Sequence, residues 1–205
     1  MKKVYIVNGG VAYHTMFRNL GFAITSNMRE AQLVCFTGGA DVSPAFYGDK
    51  PHPYTSNSPE RDYEEREIFR QALEAETPMV GICRGGQFLN VMSGGRMYQH
   101  IEGHGRSHNI TDLQTGEVVY VSSTHHQMMM PAKNGVLVAS SGIGGNREWY
   151  EGDIFKKDIS DEDIEVVYYP PTNCLCFQPH PEFEGVVYEP MTAYFSKCIA
   201  TYLEV

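Results

Sequence analysis

The chain has 205 residues, of which 42% are hydrophobic and 20% charged, the make-up of a globular domain able to bury a core of ordinary size. Its net charge of -9 argues against direct binding to nucleic acid or to an anionic membrane, since both need a basic face. No apolar stretch is long enough to span a bilayer. The five cysteines, Cys35, Cys83, Cys174, Cys176 and Cys198, are odd in number and lack the spacing of a disulfide framework, so reduced thiols and a cytoplasmic setting are expected.

In chain order, "MKKVYIVNGG" lacks the length and cleavage site of a signal peptide and reads as a first strand ended by a turn. Tyr13 to Leu20 follows as a helix, and Leu33 to Phe36 as a short strand closed by "TGG" at Thr37 to Gly39. Strands apolar throughout are those buried on both faces of a parallel sheet. Ala40 to Pro59 is a long Pro- and Gly-rich loop, the kind that often carries function. In "PERDYEEREIFRQALEAETP", Ile68, Phe69, Ala72 and Leu73 mark a helical face, and Asp62 and Arg66 stand at ion-pair spacing. Pro78 ends that helix and "MVGI" resumes as strand. The β-α-β-α-β order predicts a doubly wound α/β domain.

Val118–Val121, Val136–Ala139 and Ile164–Tyr169 read as further strands, the last joined to Cys174–Phe177 through "PPTN" as a hairpin. Cys174 and Cys176 flank Leu175 on a strand, and without a second cysteine pair they do not make a zinc site. The tail carries Met191, Tyr194, Phe195, Cys198 and Tyr202 at helical spacing. Residues 1–205 are expected to form a single domain.

Cys83, in "GICRGGQFLNVMSGG", falls at the joint between the "MVGI" strand and the following helix. Gly81, Gly85 and Gly86 permit a tight turn there, the layout of a nucleophile elbow. The helix N-terminus favours a thiolate, and the N–H of Arg84 points where an oxyanion would form. A nucleophilic cysteine needs a base and the base an orienting group. In "CFQPHPEFEG", His180 follows an apolar strand and Glu182 stands two residues on, so both reach the carboxyl edge of the sheet where the elbow opens.

G-x-C-x-G-x-Q with a later H-P-E resembles the class I, triad-type glutamine amidotransferases. "FTGGADVSPAFYG", the run from Arg61 to Ile101, "VSSTHHQ" and "CFQPHPE" are similar to the gamma-glutamyl hydrolase group, which includes the gamma-glutamyl-gamma-aminobutyrate hydrolases. The resemblance implies a flavodoxin-like three-layer α/β/α fold with a mostly parallel central sheet. It implies hydrolysis of a gamma-glutamyl amide through a glutamyl-thioester on Cys83, with His180 as general base and acid and Glu182 orienting it. Gly39 would supply an oxyanion N–H beside Arg84. Gln87 would hold the glutamyl backbone end, and Ser123, His125 and Gln127 would line the substrate. Gly86, bulkier and apolar in many relatives, is expected to widen the pocket or loosen the helix.

Amide cleavage of this kind requires no metal or organic cofactor. His100, His104 and His108 are spaced as a helical metal face, but Gly103 and Gly105 make a helix there unfavourable, so no metal site is expected. For His125 and His126 the resemblance implies a polar pocket wall, and Met128 to Met130 read as core or pocket filling. The acidic stretch Asp158 to Glu165 reads as a solvated turn. The region from 141 to 163, with the sole tryptophan Trp149, reads as a lid, a partner surface or a solvated loop. Three functions stay open: a stand-alone hydrolase of a gamma-glutamyl amine or peptide, a glutaminase subunit delivering ammonia to a separate synthetase or ligase, and a silent scaffold. The scaffold ranks last because Cys83, His180 and Glu182 are all present.

Overall fold

A computed structural model describes residues 1–205. Its elements are β1 (Lys3–Val7), α1 (Val11–Asn19), β2 (Ala23–Thr25), β3 (Leu33–Phe36), α2 (Pro59–Glu74), β4 (Met79–Ile82), α3 (Arg84–Met92), β5 (Arg96–Tyr98), β6 (His100–Ile101), β7 (His108–Asp112), β8 (Val118–Val121), β9 (Met128–Met130), β10 (Val136–Ser141), β11 (Gly145–Glu151), β12 (Ile154–Ser160), β13 (Asp163–Tyr169), β14 (Cys174–Phe177) and α4 (Glu189–Cys198). The central sheet runs β2-β1-β3-β4-β14-β13-β10-β7-β8. From β2 to β14 neighbouring strands are parallel, and from β14 to β8 they are antiparallel.

Strand alternation builds the three layers. Leu33, Cys35, Leu175 and Phe177 face one side and pack with Phe17 of α1 and Phe195 of α4. Val34, Phe36, Cys174 and Cys176 face the other and pack with Phe69 of α2 and Phe88 of α3. Period-two side chains that are apolar on both faces leave no wet side, as the sequence pattern required. The two close cysteines are buried free thiols of β14.

Four sequence expectations are corrected. First, Asp62 does not pair with Arg66. Its carboxylate is buried and accepts from the Arg84 guanidinium and from Ser43, while Arg66 lies over the rings of Phe46 and Tyr63. Second, the region from 141 to 163 is not a solvated loop. It folds as the β11–β12 hairpin, added to β6 as a small antiparallel sheet, with Trp149 packed edge-on against Tyr98. Third, Asp163 and Glu165 are not solvated. They alternate with Ile164 on β13 and are buried.

Gly86 does not widen the pocket either. A Cβ there would lie 3.0 Å from the Phe177 nitrogen and 3.1 Å from the Gly81 oxygen. Its missing side chain lets α3 sit directly on β4 and β14, which seats the elbow.

Candidate active site

The elbow forms as the sequence predicted. Cys83 connects β4 to α3 with φ 52° and ψ -114°, a left-handed conformation unusual for a non-glycine residue. Such strain costs on the order of 1–3 kcal/mol and persists where surrounding packing enforces it. Here the Cys83 N–H donates to the Phe177 oxygen of β14 at 2.8 Å, and the Gln87 N–H to the Cys83 oxygen at 3.0 Å. As the first residue of α3, Arg84 keeps an amide N–H with no partner inside the helix.

His180 stands just beyond β14 and Glu182 two residues on. Nδ1 of His180 lies 2.6 Å from Oε1 of Glu182. The imidazole stacks on Phe183, and its ring and the Cys83 side chain both border Gly38. Burial pulls the His180 pKa down, but Cys83 and Glu182 outweigh it and raise it to about 10. Cys83, His180 and Glu182 are thus brought together as the sequence placed them.

The "TGG" turn closes the site from β3. The Gly38 N–H is spent on the Tyr13 hydroxyl at 3.0 Å, whereas Gly39 donates to no protein acceptor and faces the same cavity as Cys83 and Arg84. Gly39 has φ 149°, and a Cβ there would collide with the Arg61 guanidinium. Arg61 holds the turn by donating to the oxygens of Thr37 and Gly38, both at 3.1 Å, while its Nε donates to Glu65 at 2.7 Å. Glu65 and Asp62 in turn accept from the buried Arg84 guanidinium. One charge-balanced network therefore ties α2, the elbow and the "TGG" turn together.

A cavity of about 190 Å³ opens on Cys83 and is lined by Gly39, Arg84, Gln87, His125 and Gln127, all expected from the sequence, together with Asp41, Ser56 and His126. Gln87 Nε2 donates to the oxygens of Gln127 and Gln178, each at 3.2 Å. Burial lowers the His125 pKa to about 4, so its ring is neutral. A larger cleft of about 590 Å³ between α1 and α4 takes in Glu182 and Phe183 but neither Cys83 nor His180. The smaller cavity reaches the thiol, with His180 and Glu182 outside its lining, and is the relevant one because the larger cleft does not reach Cys83.

Ser123 is corrected. Its hydroxyl donates to the His104 oxygen and it lies outside the cavity lining. Its neighbour Ser122 does positioning work instead: its hydroxyl accepts from the His180 N–H at 2.9 Å and donates to the His180 oxygen at 3.3 Å. Sequence reading also missed Tyr13 and Arg61. Tyr13 is pushed up in pKa by burial and by the adjacent Glu182 carboxylate, so it stays a neutral phenol between Glu182 and the "TGG" turn.

Known proteins resemble this chain in both sequence and fold. The peptidase C26 family model matches residues 8–182. The glutamine amidotransferase-like protein YvdE of Lactococcus lactis subsp. lactis is 35% identical over 133 residues, 55% of this chain and 56% of its own length. The carbamoyl phosphate synthase small chain of Pseudomonas syringae pv. tomato is 31% identical over 115 residues, 56% of this chain and 27% of its own. The chain spans about half the length of the curated relatives it matches. Among solved structures, a glutamine amidotransferase of Thermotoga maritima covers 99% of this chain and 89% of its own with a TM-score of 0.61 at 13% identity. PurLQS from Thermotoga maritima covers 95% and 96% with a TM-score of 0.59 at 16% identity. At such identities the likeness is one of fold. With most of its length matched by the family model and the elbow set in this sheet, the chain belongs to the peptidase C26 family, within the class I, triad-type glutamine amidotransferase superfamily.

Proposed function

We propose that the protein hydrolyses a gamma-glutamyl amide bond, in glutamine or in a gamma-glutamyl amine or peptide, through a glutamyl-thioester on Cys83. The observation that carries this reading is the strained Cys83 beside the His180–Glu182 pair, at the end of a cavity of about 190 Å³. Drug-sized ligands occupy roughly 300–1,000 Å³, so this cavity suits an amino-acid-sized group.

In this mechanism Cys83 gives its proton to His180 and Sγ attacks the γ-carbonyl carbon. The N–H groups of Gly39 and Arg84 stabilise the oxyanion. His180, as imidazolium, protonates the departing nitrogen, and the C–N bond breaks to leave the thioester and a free amine or ammonia. His180 then takes a proton from water, which attacks the thioester, releasing glutamate and the thiol. The reaction needs no metal or organic cofactor.

The imidazolium is present below a pH of about 10 and is lost as pH rises through that value. The kcat/KM profile therefore carries an alkaline limb, and Glu182→Gln is expected to move it down toward the ordinary histidine value of 6.5. A pH–rate series on both proteins checks this, and an unmoved limb counts against Glu182 as the orienting group. Arg61→Ala is expected to lower kcat by about 10- to 100-fold, because misplacing one oxyanion donor by about an ångström costs that much. A KM that changes instead of kcat would show that Arg61 acts on binding.

The second reading, a glutaminase subunit feeding ammonia to a synthetase or ligase, is favoured by the likeness to carbamoyl phosphate synthase small chains. Product release by the protein alone separates the two, with glutamine and a panel of gamma-glutamyl amines and peptides as substrates. Turnover of the panel supports the stand-alone hydrolase. Silence on all substrates, with Cys83 still alkylated by a glutamine-like analogue, supports the subunit.

A further inference from the structure

Behind the wall of the Cys83 cavity lies a second group of chemistry-bearing side chains that amide hydrolysis does not use. His104 precedes β7, His125 follows β8 and Glu165 sits in the middle of β13, so three separate segments converge here. One ligand atom from each lies within 4.8 Å of the others. All three residues are at least nine-tenths buried: His104 is 1% exposed, His125 6% and Glu165 0%. Nδ1 of His104, Nε2 of His125 and Oε2 of Glu165 all lack a hydrogen-bond partner. Nδ1 of His104 is 3.2 Å from Oε1 of Glu165, yet in poor hydrogen-bonding geometry. Three unpartnered buried polar atoms in one place are costly unless something binds them.

The opposite nitrogen of each ring is already held. Nε2 of His104 faces Oδ2 of Asp163 at 3.0 Å, and Asp163 is itself met by Arg147 at 3.3 Å. Nδ1 of His125 faces the Gln127 oxygen at 3.0 Å. Acceptors at those positions fix the tautomers, so the lone pairs of both rings turn toward Glu165. A carboxylate or backbone oxygen behind each imidazole is the arrangement that orients histidine ligands around a metal. The remaining oxygen of Glu165 is steadied by Nε2 of His108 at 2.9 Å.

We propose that His104, His125 and Glu165 bind a single divalent transition cation of the zinc type. Two imidazoles and one carboxylate are a borderline donor set that suits zinc better than calcium or magnesium, which take oxygen ligands. Ligation at about 2.0–2.1 Å draws the three atoms to about 3.3 Å from one another, a small rotation of each side chain. Burial leaves His125 neutral, the ligating form. The site departs from the metal-free protein that the sequence suggests. The three histidines of the sequence spacing do not share a helix. His104 and His108 meet at Glu165 because a loop and a strand bring them there. His125 belongs both to this cluster and to the cavity wall, so the cation would brace the segment that carries Gln127.

The test uses the full chain without an affinity tag and with Cys83→Ala, which removes the catalytic thiol as a competing ligand. This proposal does not depend on the hydrolase reading, and the experiment measures no turnover. After chelation and dialysis, the protein is titrated with Zn²⁺ and with Co²⁺. The expected result is one equivalent of zinc by elemental analysis and a rise in Tm of roughly 5–10 °C at zinc a hundredfold above Kd. Cobalt should give tetrahedral visible bands without a thiolate charge-transfer band, and His104→Gln and Glu165→Gln should each abolish the stoichiometric binding. No stoichiometric uptake in the Cys83→Ala protein overturns the proposal. So does a cobalt spectrum showing sulfur ligation, and this reading stands even if a cluster variant fails to fold.

Discussion

Replacing Cys83 by alanine is expected to abolish turnover, by on the order of 10⁴- to 10⁶-fold in kcat, while the folded protein survives. Removing a nucleophile from a site that acts as a unit costs about that much, leaving only what binding and the oxyanion donors supply. The other four cysteines provide the control. Cys35 and Cys176 are buried within strands, and burial pushes their thiols well up, as it pushes those of Cys174 and Cys198 up to about 12. Only Cys83 lines a cavity beside a histidine. One equivalent of an alkylating reagent at neutral pH should therefore label Cys83 alone, and a bound gamma-glutamyl compound should slow the labelling. Full activity in Cys83→Ala, or label on another thiol, would remove Cys83 from the mechanism. Cys83→Gly should also melt higher than Cys83→Ala, because glycine relieves the positive φ.

Glu65→Ala should be the most destabilising single change on α2, by about 3–5 kcal/mol, since it leaves a buried cation without its partner. Glu65 is fully buried and receives Arg84, Arg61 at 2.7 Å and Asn8 at 3.2 Å. Its loss leaves Arg84, itself inside the protein, with Asp62 alone. For a chain of this size the change corresponds to a fall in Tm of roughly 6–20 °C. The exposed pair of Glu67 and Arg70 on the same helix serves as the contrast, and its removal should leave the midpoint nearly unmoved. Thermal unfolding of both variants at low and high salt checks this. Equal midpoints would mean that the buried network is not what holds α2 to the elbow.

The parts of this molecule legible in its sequence are those written in local pattern. Four-residue apolar runs give buried strands, glycines around Cys83 give the elbow, and a histidine two residues before a glutamate after a strand gives the charge pair. The illegible parts depend on partners distant in sequence. Asp62 and Glu65 look like any solvated helix acid, and nothing near them announces that Arg84 arrives from another element. Ser122 and Ser123 differ only in which face of the chain they present, so a one-residue choice decided which of them met His180. Two other features left a signal that was readable. The alternation in Asp163-Ile164-Glu165-Val166 is that of a strand with a buried polar face. In "YEGDIF", Gly152 with φ 61° marks the turn of a hairpin between two alternating segments.

The central claim is that Cys83 becomes acylated by a gamma-glutamyl group. The direct measurement is rapid acid quenching of the protein during turnover, followed by mass analysis of the peptide that carries Cys83. The account predicts one gamma-glutamyl group on that peptide, held through sulfur and released by hydroxylamine. Turnover without any acyl group on Cys83, under conditions that trap thioesters in a control cysteine hydrolase, would contradict it.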